Sequence, residues 1–262
     1  MNRTSDTTVM KAENLGITFG GLHAVSGFDM ELREGELVGL IGPNGAGKTT
    51  VFNLLTGVYQ PTEGNVYLRG KSMLGKKPHQ MVEEGIARTF QNIRLFKDLT
   101  VLDNVLIGLH NSMNCHLGES ILRLPRYWKQ EKEAKERALE LLSIFQMQDL
   151  AKYQAGALPY GAQRRLEIVR ALGTNPKLLL LDEPAAGMNP SETAGLMENI
   201  RKIRDSFHIA IMLIEHDMNL VMGICEVIAV LNYGKIIAKG TPEEIQANPA
   251  VIEAYLGKKK EG

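Results

Sequence analysis

The stretch LIGPNGAGKTT at residues 40–50 limits this chain more than any other part of it. Gly42 and Gly47 bracket four residues, and Lys48 and Thr49 follow at once. A phosphate needs backbone N–H donors packed close, without side chains in the way. Gly42, Gly45 and Gly47 supply that, and a helix starting after them adds its positive end. Lys48 is a point charge able to reach the β- and γ-phosphates, and Thr49 offers a hydroxyl to Mg²⁺. On average glycine usage such a motif arises by chance in about one chain in a hundred of this length. The same loop serves kinases, switches, helicases and pumps, so it leaves the use of the energy open.

The flanks of the loop set the fold class. ELVGLI at 36–41 is a continuous apolar run, as suits a strand buried on both faces of a parallel sheet. TTVFNLLTG then reads as a helix ending at Gly57. Strand, phosphate loop and helix in that order are the context the motif requires. Two further apolar runs, KLLLLDEP at 177–184 and IAIMLIEHD at 209–217, end in polar residues. Ligand chemistry collects at the carboxyl ends of such strands. Residues 9–33 alternate loosely and break at glycines, which predicts strands. VIAVLNYGKIIAKG predicts a hairpin turning at Tyr233-Gly234. A helical stretch is expected over about 93–173, with Ala138, Leu141, Leu142 and Phe145 on one face. Thr241 and Asn248 are expected N-caps, each followed by proline, and Glu244 completes a capping box. The terminal GKKKEG reads as a frayed tail.

Three strand ends therefore carry candidate chemistry. Asp182 and Glu183 suit a division of labour, Asp182 helping to hold Mg²⁺ and Glu183 polarising the attacking water as general base. His216 is placed to contact the γ-phosphate. Gln91, after a short strand, can coordinate Mg²⁺ or orient water. Bulk composition narrows the partners. Thirty basic and thirty acidic side chains cancel, which disfavours nucleic acid as a partner. Cys115 and Cys225 suggest neither a disulfide framework nor a metal site. No apolar start and no spanning run is present, so a cytosolic protein is expected, and one that works at a membrane must dock on other proteins' helices.

The ordered set GPNGAGKT, Gln91, LPYGAQRR, LLLLDEP and Glu215-His216-Asp217 resembles the nucleotide-binding subunits of ABC transporters over nearly the whole chain. FGGLHAV, RTFQNIRLFKDLTVLDNV, DEPAAGMNP, IEHDMNLVMGIC and GTPEEIQANPAVIEAYLG are closest to the branched-chain amino acid branch of that family. The resemblance implies an α/β fold: a P-loop NTPase, RecA-like core of mainly parallel sheet, an N-terminal antiparallel β subdomain and an inserted α-helical subdomain. It implies core segments at 1–92 and 166–262, with the helical subdomain and signature loop at 93–165. It implies an ATPase with ATP and Mg²⁺, the ion held by Thr49, Gln91 and Asp182, with Glu183, His216, Gln91 and Lys48 as catalytic residues. Gly42, Pro43, Asn44, Gly45, Ala46, Gly47, Lys48, Thr49 and Thr50 would cradle the nucleotide, and Phe19 would stack on adenine. Tyr160, Gly161 and Asn189 would act in trans, on the nucleotide of a second ATPase subunit, either a copy or a related chain.

The implied partners are two membrane permeases and, indirectly, an extracytoplasmic solute-binding protein, with the chain peripheral on the cytoplasmic face of the inner membrane. Urea or lipopolysaccharide transport, or a soluble non-transport ABC ATPase, stay open as alternatives, because the solute never touches this chain. One departure matters. The usual serine of the signature loop is Pro159 here, which has neither hydroxyl nor N–H. Either backbone donors suffice or the site is weaker. The segment NIRLFKDLTVLDNVLIGL after Gln91 is the expected docking surface. Ile93, Leu95, Phe96 and Leu99 supply its apolar area, unless they fill the subdomain's own core, and Arg94 and Lys97 its charge. The insert at 111–130, with Trp128, either widens that surface or is a variable loop.

Overall fold

A computed structural model of the protein describes residues 7–110 and 125–256. Packing divides the chain into two units: 1–88 with 177–184 and 203–262, and 89–176 with 185–202. The first unit opens with β1 (Thr8–Phe19) and β2 (Leu22–Arg33), an antiparallel pair turning at Gly20-Gly21. Then come β3 (Leu37–Ile41), α1 (Lys48–Leu55), β4 (Glu63–Leu68), β5 (Lys71–Ser72), α2 (Pro78–Glu84) and β6 (Ile86–Arg88). Its later elements are β7 (Leu178–Asp182), β8 (Ala210–Ile214), α7 (Met218–Ile224), β9 (Val227–Asn232), β10 (Lys235–Gly240), α8 (Pro242–Ala247) and α9 (Pro249–Leu256).

Two sheets result. One is antiparallel, in the order β2-β1-β4-β5. The other runs β10-β9-β3-β8-β7-β6, parallel except for the β9–β10 hairpin. Every residue of β3, β7 and β8 is buried, which is why these strands read as unbroken apolar runs rather than alternating ones. Each of Leu178, Leu179, Leu180 and Leu181 is fully covered, and each contributes roughly 1.5–3 kcal/mol. A single apolar cluster joins Phe28 and Leu32 of β2, Phe52 of α1, and Leu180 and Met212 of the parallel sheet. The expected caps of α8 and α9 form. Thr241 Oγ1 accepts from the Glu244 N–H, and Asn248 Oδ1 accepts from the Ala250 N–H at 2.9 Å.

The second unit holds α3 (Val101–His110), α4 (Pro125–Ile144), α5 (Tyr160–Gly173) and α6 (Pro190–Phe207) up to residue 202. α3 packs against both α4 and α5. Gly108 permits this closeness, since a Cβ there would lie 2.3 Å from the Arg170 carbonyl oxygen. The stripe Ala138, Leu141, Leu142 and Phe145 is buried as its periodicity requires.

The helical stretch expected from about residue 93 starts later, at Val101. Thr100 and Asp103 form a reciprocal cap: the Asp103 N–H donates to Thr100 Oγ1 at 3.0 Å, and the Thr100 hydroxyl donates to Asp103 Oδ2 at 2.6 Å. Residues 93–99 are left as loop. The segment border expected at 165/166 falls inside α5. Of the insert at 111–130, residues 111–124 lie outside the described residues, as do Cys115, the side chain of Trp128 and the tail at 257–262.

Candidate functional site

The phosphate loop leaves the buried strand β3 at Ile41 and enters α1 at Lys48. Its glycines are required for two different reasons. Gly47, the helix N-cap, sits at φ 104°, and a Cβ on it would come within 2.9 Å of the Ala24 carbonyl oxygen. A Cβ on Gly42 would lie 2.1 Å from the Leu231 carbonyl oxygen. Gly45, at φ 80°, has open space around it, so only its backbone angle asks for glycine. Lys48 Nζ donates to the carbonyl oxygens of Gly42 at 2.6 Å and Pro43 at 3.0 Å. Burial pushes its ammonium below the usual lysine range, while the carboxylates of Glu183 and Asp182 work the other way. One lysine and two carboxylates from different strand ends are thus within electrostatic reach.

Asp182 ends β7, opposite Ile214 of β8. Its Oδ2 accepts from Arg88 Nη2 at 2.6 Å, in a pair whose side chains are 7% and 6% exposed. Arg88 Nη1 also donates to Asn53 Oδ1 at 2.7 Å, and its guanidinium lies 5.4 Å from the Phe52 ring centroid. The sequence gives no signal for this partner. Glu183 follows in the left-handed region, φ 47°, with its N–H donating to the Ile214 carbonyl at 2.9 Å. Such a backbone on a non-glycine residue is a local strain that the surrounding hydrogen bond holds in place. His216 Nδ1 is 4.0 Å from Glu183 Oε2 and 3.8 Å from the buried Glu215 carboxylate, whose Oε2 accepts the His216 N–H at 3.2 Å. Thr49 is exposed at the start of α1. A hydroxyl and a carboxylate are the hard oxygen donors that Mg²⁺ takes alongside phosphate oxygens, so the residues present fit that ion.

Two contacts went unread in the sequence. Phe19 stands edge-on to Tyr59, centroids 5.3 Å apart, both rings partly exposed. Tyr255 of α9 hydrogen-bonds to the Gly42 backbone, while burial pushes its phenol up. A cavity of about 520 Å³ lies between the loop and the C-terminal elements, lined by Pro43, Asn44, Gly45, Tyr233 and Glu253 among others.

The second unit carries the remaining candidates. Tyr160 and Gly161 begin α5 after Pro159, whose N-cap position has no side-chain hydrogen bond. A Cβ on Gly161 would meet Glu192 Oε1 at 2.5 Å, and one on Gly187 would meet the Tyr160 ring at 3.1 Å. Asn189 and Glu192 cap α6 reciprocally, the Glu192 N–H donating to Asn189 Oδ1 at 3.0 Å and the Asn189 N–H to Glu192 Oε2 at 3.1 Å. Tyr160, Gly161 and Asn189 are therefore neighbours through Glu192, a residue the sequence did not single out. Gln91 lies in this unit too, exposed, with its carbonyl accepting from Arg164 Nη2.

The chain matches the family model described as ABC transporter over residues 25–186. Residues 235–261 match the model described as branched-chain amino acid ATP-binding cassette transporter. It is 47% identical over 249 residues to the high-affinity branched-chain amino acid transport ATP-binding protein BraF of Pseudomonas aeruginosa, spanning 95% of this chain and 98% of that protein. The corresponding protein LivG of Salmonella typhimurium is 49% identical over the same spans. Among solved structures, the ADP conformation of MJ1267, an ATP-binding cassette of an ABC transporter, superposes with a TM-score of 0.83 at 32% identity, covering 96% of this chain and 99% of that one. The dimeric bacterial ABC transporter cassette MJ0796 gives 0.75 at 25% identity, covering 89% and 98%.

The two glycine roles predict different costs. Gly45→Ala should lose about 1–2 kcal/mol, the penalty of a left-handed Cβ. Gly42→Ala should lose more, because its Cβ meets a backbone oxygen that cannot rotate away. Urea midpoints of the two variants measure this, and equal losses would contradict the geometry.

Proposed function

The chain belongs to the ABC transporter family and is an ATPase of that family, and from that premise we propose that it powers uptake of branched-chain amino acids through partner permeases. The match of residues 235–261, outside the part shared by ABC ATPases at large, supports this solute class over urea or lipopolysaccharide. On this reading two membrane permeases and a second ATPase subunit complete the machine, and an extracytoplasmic solute-binding protein delivers the cargo. No helix among the described residues is long and apolar enough to cross a membrane. The proposed place is the cytoplasmic face of the inner membrane, held there by docking.

The proposed chemistry follows from the geometry. Backbone N–H groups of residues 42–50 and the Lys48 ammonium bind the phosphates of ATP, and adenine rests on Phe19 beside Tyr59. Thr49 and Asp182, with Gln91, would hold Mg²⁺, which neutralises phosphate charge when bound. Arg88 keeps the Asp182 carboxylate fixed at the end of β7. Glu183 takes a proton from the attacking water, and His216, placed beside the Glu183 and Glu215 carboxylates, contacts the γ-phosphate. Tyr160, Gly161 and Asn189 complete the site of the second subunit, with the helical subdomain proposed for 93–165 presenting the signature loop.

Glu183→Gln tests the catalytic assignment. The amide keeps the shape and cannot act as base, so steady-state ATPase should fall by about 10²–10⁴-fold while ATP binding persists. Near-normal turnover would sink the role. Lys48→Ala should instead weaken ATP binding itself.

Pro159→Ser separates two accounts of the signature loop. If a hydroxyl on bound phosphate is missing, the serine should raise ATP-driven dimerisation by up to about 1.5–3 kcal/mol, the range of a charge-assisted hydrogen bond. If backbone donors suffice, the serine only caps α5, and thermal stability rises with no change in dimerisation.

The docking surface has structural support. The Phe96 N–H donates to the buried Asn104 Oδ1 at 3.0 Å, and Asn104 Nδ2 donates back to the Phe96 carbonyl at 3.0 Å. The Phe96 ring is nevertheless half exposed, and Leu99 is exposed beside it, so the segment does not simply fill its own core. Exposed apolar side chains on a pinned backbone are what a partner's loop can bind. Arg94→Ala with Phe96→Ala should leave basal ATPase of the isolated chain intact while permease association and amino acid uptake fall. Loss of basal ATPase in step with uptake would return these residues to a folding role.

A further inference from the structure

The loop carrying Gln91 is held from one helix by both polarities of its backbone. Arg164 of α5 is 3% exposed and Glu167, one turn on, is 2% exposed. Arg164 Nη1 donates to the Phe90 carbonyl at 2.7 Å, and Nη2 donates to the next carbonyl, that of Gln91. Glu167 Oε1 accepts the Arg94 N–H at 3.3 Å, and the same carboxylate accepts the Phe90 N–H. The pair itself closes at 3.6 Å. Arg164 also reaches the start of its own helix. Nη2 and Nε donate to the Tyr160 hydroxyl at 2.9 and 3.2 Å, and the guanidinium lies 5.4 Å from the ring centroid.

We propose that Arg164 is the positioning residue that makes the Gln91 loop and the Tyr160-Gly161 turn respond as one piece. The proposal rests on the reading that Gln91 meets the nucleotide. Helical spacing puts Tyr160, Arg164 and Glu167 on one face of α5. A planar fork spreads five N–H donors over three nitrogens and so spans two successive carbonyls and a phenol on its own helix, a reach that lysine's donors, all on one nitrogen, do not have. A buried ion pair gains little stability over apolar side chains of equal volume. What it adds here is a hold on an irregular segment, whose backbone carbonyls and amides need partners when buried. Arg164 holds Gln91 by its carbonyl. A change in its loop on meeting nucleotide therefore passes through the guanidinium to Tyr160, whose ring lies against Gly187 and whose neighbour Gly161 lies against Glu192. Nucleotide bound to a chain would in this way set the surface that the same chain presents to its partner subunit.

The test is hydrogen exchange on the full chain, diluted to a monomer, with and without ATP and Mg²⁺. In the unaltered protein, ATP should slow exchange over both 89–94 and 160–163. Arg164→Lys should keep ATP affinity within about twofold and keep the response at 89–94, yet lose the response at 160–163. ATP-driven dimerisation should fall by roughly 5- to 150-fold, the usual range of coupling between sites. A role in stability alone would not split the two peptides. If the lysine variant keeps the response at 160–163, the strut is refuted while the reading of Gln91 stands. If 89–94 is silent to ATP in the unaltered protein, the reading of Gln91 fails and the strut fails with it. Should Arg164→Lys not fold, Tyr160→Phe removes only the accepting hydroxyl. It should weaken the response at 160–163, and an unchanged response would overturn the proposal.

Discussion

The first unit depends on backbone meeting backbone at the phosphate loop. Gly42 passes the Leu231 carbonyl and Gly47 passes the Ala24 carbonyl with no room for a methyl group. Hydrogen bonds close the same junction. The Gly234 N–H donates to the Ala46 carbonyl at 2.9 Å, and the Ser26 N–H donates to the Gly234 carbonyl at 3.0 Å. The loop is thereby clamped between β2 of the antiparallel sheet and the β9–β10 turn of the parallel one. Anion binding by backbone amides needs donors fixed before the ligand arrives, since nothing in a flexible loop would keep them converged. The two sheets, remote in sequence, supply that fixity. This explains why a motif of a few residues needs both sheets around it.

How far this could be read beforehand depends on what kind of force makes each element. β3, β7 and β8 are buried on both faces, and unbroken apolar runs announce that directly. The caps at Thr241 and Asn248 are local hydrogen bonds between near neighbours, so they too were legible. β5 has two residues and β6 three, too short for any period to show. α6 is different. Leu196, Ile200 and Ile203 make a readable stripe, all fully buried, that went unassigned. The start of α3 was legible in the same way, from the capping pair Thr100 and Asp103, and the helix was nevertheless expected several residues early.

The site was legible in its residue types and not in its restraints. Lys48, Asp182, Glu183 and His216 declare themselves by position after strands. What holds them does not. Arg88 and Asp182 are ninety-four residues apart, and no local pattern links them. The left-handed backbone of Glu183 shows only once the Ile214 carbonyl is in place to accept its N–H. The contact of Tyr255 with Gly42 likewise requires the C-terminal helix to have come back to the loop. Sequence motifs record the groups that touch a ligand, because chemistry fixes those. The supporting groups are set by topology, and many residue choices would serve.

Charge and apolar burial do different work in this chain. The parallel sheet is stabilised by leucine and isoleucine, which ask only to be covered. Buried charge appears where a particular atom must stay in one place: Arg88 on Asp182 in one unit, and Arg164 with Glu167 around residues 90–94 in the other. A desolvated pair is a poor general stabiliser, yet breaking it leaves an uncompensated charge at a cost of about 3–5 kcal/mol. That asymmetry makes such pairs strict about geometry while adding little to the total stability. Both pairs flank one short segment of chain. Arg88 anchors it at the end of β6, and α5 grips its backbone from residue 90 onward. Before Thr89 the anchor is the Arg88 side chain; after it the backbone itself is gripped. On the proposed reading of Gln91, the hold of Arg164 and Glu167 on its backbone would carry a response to nucleotide toward the start of α5.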